Sequence, residues 1–165
     1  MSRRSEAKPG RGFFGIGIMH GKSQVNIGTL WRSAHSFGAD LLFTVGARYR
    51  PQASDTTKAW RHVPLFNFSD VDDLIEHLPY GCRLIGIELC DGARTLPEYR
   101  HPETACYLLG AEDHGLSPET LRRCHERIVV PAAARCLNVS TAGSIVLYDR
   151  AVKTPLGRYA EGMGE

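Results

Sequence analysis

Three separated segments of this 165-residue chain contain glycines together with amide, carboxylate and arginine side chains, in predicted loops and helix starts. Their sequences are NIGTLWRSA at 26–34, LLGAEDHGLS at 108–117 and VVPAAARCLNVSTAGSIVLYD at 129–149. In doubly wound α/β sheets, ligands bind in the loops beyond the carboxyl ends of the strands. The three segments are therefore the candidate places for a binding or catalytic site.

In the first segment, Asn26 is predicted to cap a helix over 27–38. Gly28, Arg32 and Ser36 then follow one another at i, i+4 and i+8, and form a polar stripe opposite the apolar face. A bare turn beneath the arginine leaves room for a phosphate or a sugar to approach its guanidinium group. The alternative is a solvated arginine beside a tolerated glycine.

The second segment is predicted to be a strand that ends in glycine, followed by an acidic turn and a new helix. Gly110 and Gly115 permit close backbone approach or a positive φ, so exposed amides and carbonyls there suit an adenine or a ribose. In the third segment, a loop of small residues leads to Asn138 and Ser140 at a helix start, where backbone N–H groups point outward. The alternatives are an ordinary turn and plain N-capping.

Apolar periodicity predicts alternating strands and helices, and hence an α/β domain with a mainly parallel sheet and helices on both faces. The predicted strands are 13–19, 41–45, 83–89, 105–109 and 127–130, and the predicted helices are 27–38, 69–78, 117–125 and 138–150. The remaining long stretch, 46–63, is predicted to be a loop with one helical turn at most. A loop of this length often has a function.

Length and composition predict a single globular domain over 12–150, between a basic tail at 1–11 and a C-terminal tail at 151–165. Hydrophobic residues make up 42% of the chain, and the net charge is +2. No run approaches the ~18 apolar residues of a membrane span, so we expect no membrane association. The five cysteines include no CxxC pair, which favours free thiols, a cytoplasmic location and no metal site.

The 46–63 loop combines cations with aromatic side chains, namely Arg48, Tyr49, Arg50, Lys58, Trp60, Arg61 and His62. Such a mixture suits phosphate contacts and stacking on an unpaired base, so Arg48, Arg50 and Arg61 are predicted to bind RNA. A solvated loop is the alternative. Other signatures are missing: no complete dinucleotide fingerprint or phosphate loop occurs, which disfavours a nucleotide-dependent oxidoreductase or an NTPase.

Together, the three segments resemble the three motifs of the SpoU-type (TrmH-type) RNA ribose 2′-O-methyltransferases of the SPOUT superfamily, over roughly 13–150. The resemblance implies a sheet whose C-terminal part forms a deep trefoil knot. It also implies S-adenosyl-L-methionine as cofactor, and a homodimer in which the arginine of one subunit acts near the cofactor of the other. The implied reaction is methylation of a ribose 2′-hydroxyl in structured RNA. The small size favours tRNA; rRNA methylation and a catalytically silent RNA-binding protein are the alternatives.

The same resemblance implies a role for individual residues. Arg32 matches the catalytic arginine, Asn26 its positioning partner, and Glu112 and Asn138 complete the expected catalytic set. The expected cofactor-binding residues are Glu88, Leu89, Leu109, Gly110, Val130, Pro131, Cys136, Leu137 and Asn138. Cys136 replaces a serine of many relatives, and we expect the loop backbone to make the contacts there. A guanidinium loses its proton only above pH ~12, so a phosphate clamp stands beside a general base as the arginine's role.

Overall fold

The structure, a computed structural model, describes residues 12–49, 58–133 and 137–154. The strands are β1 (Phe13–Met19), β2 (Leu41–Val45), β3 (Leu65–Phe68), β4 (Arg83–Ile87), β5 (Arg94–Thr95), β6 (Thr104–Leu109) and β7 (Glu126–Val129). The helices are α1 (Gln24–Ser36), α2 (Val71–Glu76), α3 (Pro118–Arg123) and α4 (Val139–Lys153). Two 3₁₀ turns lie at Ala59–Arg61 and Leu96–Glu98.

The strands form one sheet in the order β3-β2-β1-β6-β4-β7-β5, and each pairing within it is parallel. Side chains alternate between its faces as a strand requires. Ile16 of β1 and Tyr107 of β6 pack into the core beneath α1 and α4, whereas Leu84 of β4 and Leu108 of β6 join residues of α2 and α3 on the other face. The predicted parallel α/β domain with helices on both faces is confirmed.

Helix α1 begins earlier than predicted. Ser23 is the N-cap, and its Oγ accepts a hydrogen bond from the backbone N–H of Asn26 at 3.3 Å. The prediction of Asn26 as the cap is therefore wrong: Asn26 lies in the first turn and is buried. Both residue types cap helices well, and the earlier start turns the Asn26 amide inward, where tertiary partners hold it.

Other boundaries differ because short elements depend on neighbours that the local pattern does not show. Asp70 rather than Ser69 caps α2, and its carboxylate accepts from the N–H of Asp73 at 2.9 Å. The prediction lacked β3 and β5, which pair at the two edges of the sheet. Helix α4 continues past Arg150 to Lys153, whose Nζ donates to the carbonyl oxygen of Leu96 at 2.6 Å.

A buried polar chain joins α4 to the amino end of β6. The His101 side chain is 1% exposed, and its Nε2 lies 2.8 Å from Oδ2 of Asp149. Its Nδ1 lies 2.5 Å from the hydroxyl of Tyr107, which also accepts from Arg150 at 3.1 Å. These contacts fix the end of α4 at the edge of the sheet opposite the carboxyl ends of the strands.

Candidate active site

A cavity of about 510 Å³ lies at the carboxyl edge of the central strands, where the loops after β4, β6 and β7 meet the start of α4. It is lined by Ile87, Glu88, Leu89, Leu109, Gly110, Ala111, Glu112, Asp113, His114, Gly115, Val129, Val130, Pro131, Ala132, Leu137, Val139 and Ala142. Seven of the predicted cofactor-binding residues therefore line the same cavity: Glu88, Leu89, Leu109, Gly110, Val130, Pro131 and Leu137. Cys136 lies outside the described residues.

The loop after β6 folds back tightly over Glu88. Gly115 has a φ of +62°, and a Cβ built there would lie 2.3 Å from Oε2 of Glu88. That same oxygen accepts from the backbone N–H of Leu116 at 2.8 Å, while Oε1 accepts from the N–H of Leu89 at 3.0 Å. The carboxylate therefore fixes the loop 110–116 against the end of β4. The sequence predicted Glu88 as a cofactor-binding residue but did not predict that it holds this loop.

Four polar residues from the three sequence segments form one hydrogen-bonded cluster, and Glu112 among them lines the cavity. Asn26 donates from Nδ2 to Oε1 of Glu112 at 2.7 Å, and its Oδ1 accepts from Nδ2 of Asn138 at 3.0 Å. Ser140 donates to Oδ1 of Asn138 at 2.6 Å. Asn138 is the N-cap of α4, because its Oδ1 also accepts from the N–H of Thr141 at 3.2 Å. We call Asn26, Glu112, Asn138 and Ser140 the amide–carboxylate cluster.

The electrostatics of the cluster keep Glu112 ionised. Burial raises the pKa of Glu112, but hydrogen bonds from the Asn26 amide and from backbone N–H groups, including those of Lys22 and Ser23, outweigh burial. The net result is a pKa below the ordinary range. Its second oxygen, Oε2, is buried and has no hydrogen-bond partner among the described residues. The cavity thus has an ionised carboxylate in its lining.

At the rim of the cavity, Asp113 forms an ion pair with Lys22 of the loop before α1. The hydrogen bond from Lys22 lowers the pKa of Asp113. Both side chains are substantially exposed, so the pair adds little to stability, but it ties the loop after β6 to the start of α1. Sequence reasoning missed this contact, and nothing local to either segment signals it. His114 beside them is 81% exposed, as expected of a surface turn residue.

The structure separates Arg32 from the amide–carboxylate cluster. Asn26 lies on the buried side of α1, whereas Arg32 is exposed. With ~100° of rotation per residue, the two side chains leave the helix about 120° apart. A Cβ at Gly28 would meet the Tyr49 hydroxyl at 3.7 Å, which is an ordinary van der Waals contact. Arg32 therefore faces solvent on a different side of α1 from Asn26.

Two of the three predicted RNA-binding residues lie within the described part of the chain. Arg48 and Arg61 are exposed, and Arg50 lies outside the described residues. The prediction that Tyr49 is available for base stacking is wrong, because its ring packs edge-on against Trp31 at 5.6 Å and is 8% exposed. Trp60, by contrast, is 52% exposed.

Two negative findings apply to the part of the chain that the structure describes. No group of three or more His, Cys, Asp or Glu side chains there is arranged to hold a metal ion. None of the helices found there has the length and apolar character that a membrane crossing demands.

Comparison with known proteins places this geometry in a family. The family model described as SpoU rRNA Methylase matches residues 16–148, which include the first two motif segments and all but the last residue of the third. Among curated proteins, tRNA (guanosine(18)-2′-O)-methyltransferase of Escherichia coli K12 is 27% identical over 129 residues, which cover 75% of this chain and 56% of that protein. The chain thus spans about half the length of the curated relatives it matches.

Solved structures show the same fold. One, described as giving structural insights into the 2-OH methylation of C/U34 on tRNA, is 24% identical with a TM-score of 0.75, over 87% of this chain and 97% of that one. Another is the SpoU methyltransferase AviRb from Streptomyces viridochromogenes in complex with the cofactor AdoMet. It is 21% identical with a TM-score of 0.75, over 87% of this chain and 58% of that one. By sequence motifs, site geometry and family match, this chain belongs to the SpoU family of RNA methylases.

Proposed function

We propose that this chain transfers a methyl group from S-adenosyl-L-methionine to a ribose 2′-hydroxyl of RNA. The observation that carries the proposal is the amide–carboxylate cluster. It joins three segments, up to 112 positions apart in sequence, through direct side-chain hydrogen bonds, and its Glu112 lines the cavity. Family membership supports the reaction class. Three residues of the cluster, Asn26, Glu112 and Asn138, also belong to the catalytic set that the motif resemblance implies.

The cavity fits the cofactor chemically. S-adenosyl-L-methionine has a flat apolar base, a ribose and a cationic methionine part. The walls supply apolar side chains such as Leu109, Val130 and Leu137, together with the backbone of the loop at Gly110. The carboxylate of Glu112, which lines the cavity and whose pKa is lowered, suits the cationic part of the cofactor. When bound, the cofactor supplies a methyl group already activated on sulfur.

With the methyl group activated, the chain's own task is alignment and charge stabilisation. Glu112 and Asn138 hold the Asn26 amide from both sides, which keeps the starts of α1 and α4 in fixed positions beside the cavity. Arg32 on the outer face of α1 is suited to clamp an RNA phosphate and to stabilise the developing negative charge of the attacking oxygen. Its outward position agrees with a homodimer in which Arg32 serves the partner's cavity. The homodimer and the C-terminal trefoil knot belong to this proposal.

Transfer RNA is the substrate class we propose. Two of the similar proteins, the Escherichia coli methyltransferase and the protein linked to C/U34, are described as acting on tRNA. Ribosomal RNA is the second candidate, because the family description and its name refer to rRNA. A cytoplasmic location follows from these substrates and stays a prediction.

The test separates cofactor binding from transfer. Calorimetry with S-adenosyl-L-methionine, with NAD and ATP as control ligands, should show binding of the first alone. Transfer of tritiated methyl groups to purified tRNA and, separately, to rRNA should label tRNA more, with the label on ribose by mass spectrometry. Binding without transfer to either RNA would favour a catalytically silent RNA-binding protein, and absence of cofactor binding would reject the proposal.

A further inference from the structure

Trp60 is a large, exposed aromatic side chain, and it lies in the 3₁₀ turn Ala59–Arg61. Its neighbours Ala59 and Val63 are 0% and 2% exposed, and the Trp31 indole donates from Nε1 to the carbonyl oxygen of Val63 at 2.8 Å. His62 stacks on His35 of α1 with ring centres 4.4 Å apart and planes 16° apart. The 3₁₀ turn that carries Trp60 is therefore held directly against α1.

This anchoring places Trp60 beside the outer face of α1 that carries Arg32. His35 follows Arg32 by three residues, and side chains at i and i+3 are neighbours on a helix surface. The His35–His62 stack thus joins the 3₁₀ turn to a surface neighbour of Arg32 on α1. We call Trp60, Arg61, His62 and His35 the aromatic platform.

The charge around the platform is suited to RNA. Arg61 lies over the Trp60 ring, with its guanidinium carbon 5.1 Å from the ring centre. Neither α1 nor the segment 58–63 contains an acidic residue, and both carry arginine. A polyanion would therefore meet aromatic rings and cations on these two elements, without repulsion from a carboxylate of either one.

We propose that the aromatic platform stacks an unpaired base of the RNA substrate and thereby positions the neighbouring ribose and phosphate at Arg32. This rests on the proposed function and narrows its substrate class to RNA with a single-stranded nucleotide at the methylated position, because a base within a duplex is not free to stack on Trp60. Stacking on an aromatic side chain tolerates any base, so the platform selects unpaired structure rather than sequence.

The chain offers a direct spectroscopic test, since it contains two tryptophans and Trp31 is 4% exposed. Addition of single-stranded oligoadenylate should quench the fluorescence of Trp60, and the quenching should disappear in Trp60→Phe, which leaves Trp31 alone. Affinity for the oligonucleotide should fall about tenfold in Trp60→Ala and change little in Trp60→Phe. An RNA duplex with the same number of phosphates should bind the parent protein and Trp60→Ala equally.

Tyr80→Ala is the matched control, because Tyr80 is fully exposed in the turn before β4, and three strands separate β4 from β3 in the sheet. It should leave oligonucleotide affinity unchanged. Quenching that persists in Trp60→Phe, or unchanged affinity in Trp60→Ala, would overturn the platform. So would a change in self-association of Trp60→Ala by sedimentation, which would assign the surface to a second copy of the chain. Cofactor binding and methyl transfer by the parent protein test the proposed function separately.

Discussion

The side chains of Asn138 and Asn26 meet directly, Nδ2 to Oδ1 at 3.0 Å, although they stand 112 positions apart in the chain. Asn138 uses its own oxygen to cap α4, so one side chain both begins a helix and fixes α1. On the other side of Asn26, Glu112 accepts at 2.7 Å. The position of Asn26 is consequently decided by both neighbours.

Replacement of Asn26 by aspartate should place a second carboxylate against Glu112. Asn26→Asp should destabilise the fold at neutral pH by about 2 kcal/mol, because two close carboxylates repel and the donor to Glu112 is lost. The loss should shrink toward pH 5, where the pair takes up a proton. Urea unfolding at both pH values measures it.

Asn67→Asp is the matched control, since Asn67 is exposed and its oxygen accepts from Thr44, which an aspartate can also do. A similar pH-dependent loss in both variants would contradict the role assigned to Glu112.

Removal of the Arg32 guanidinium should abolish transfer but not cofactor binding. Arg32 is exposed, so Arg32→Ala should retain the fold and bind S-adenosyl-L-methionine within a few fold, while turnover falls by roughly 10²- to 10³-fold. Arg32→Lys should also be poor, because an ammonium group lacks the planar fork. Arg122→Ala, at an exposed position on α3, is the control with normal turnover. Loss of cofactor binding in Arg32→Ala would make its role structural.

A methyl group at Gly115 should damage the cavity through Glu88. Gly115→Ala combines a positive φ with a clash against the Glu88 carboxylate, whereas Gly81→Ala has a φ of +74° and nothing within 4 Å of the new Cβ. Gly81→Ala should cost about 1 kcal/mol from backbone strain alone. Gly115→Ala should cost more and weaken cofactor binding at least several fold, as calorimetry would show. Equal effects of the two variants would show that the clash with Glu88 does not cause the loss of cofactor binding.

Burial of His101 predicts acid sensitivity. Burial lowers the pKa of His101 and outweighs the opposing effect of Asp149, so the folded protein resists protonation where the unfolded chain accepts a proton. Because the folded pKa lies below the unfolded value of 6.5, stability should be highest above that pH and fall as the pH drops through it. The slope should reach at most ~1.4 kcal/mol per pH unit.

Denaturant unfolding between pH 8 and pH 5 measures this slope, and His101→Gln should reduce it. His114→Gln, at an exposed position, should leave the slope unchanged. A parent protein equally stable at both ends of the range would show that His101 is not the linked group.

Local signals in the sequence were sufficient to predict the parallel sheet and to predict that the three segments converge. Alternating or continuous apolar runs indicated the central strands, and Asn138 was correctly placed at the start of α4. The choice between Ser23 and Asn26 as helix cap was beyond such signals, because it depends on Glu112, 86 positions away. The burial of Tyr49 likewise depends on Trp31, whose ring covers it. Edge strands β3 and β5 are short and owe their form to one neighbour each.

Helix α1 carries the buried amide of Asn26 and the exposed guanidinium of Arg32 without a break between them. Insertion or deletion of one residue between Asn26 and Arg32 would rotate the arginine by ~100° relative to the cavity and shift it by ~1.5 Å along the axis. An insertion in the exposed turn before β4 would leave both side chains in place. Under the proposed function, the number of residues between Asn26 and Arg32 is therefore fixed by the reaction.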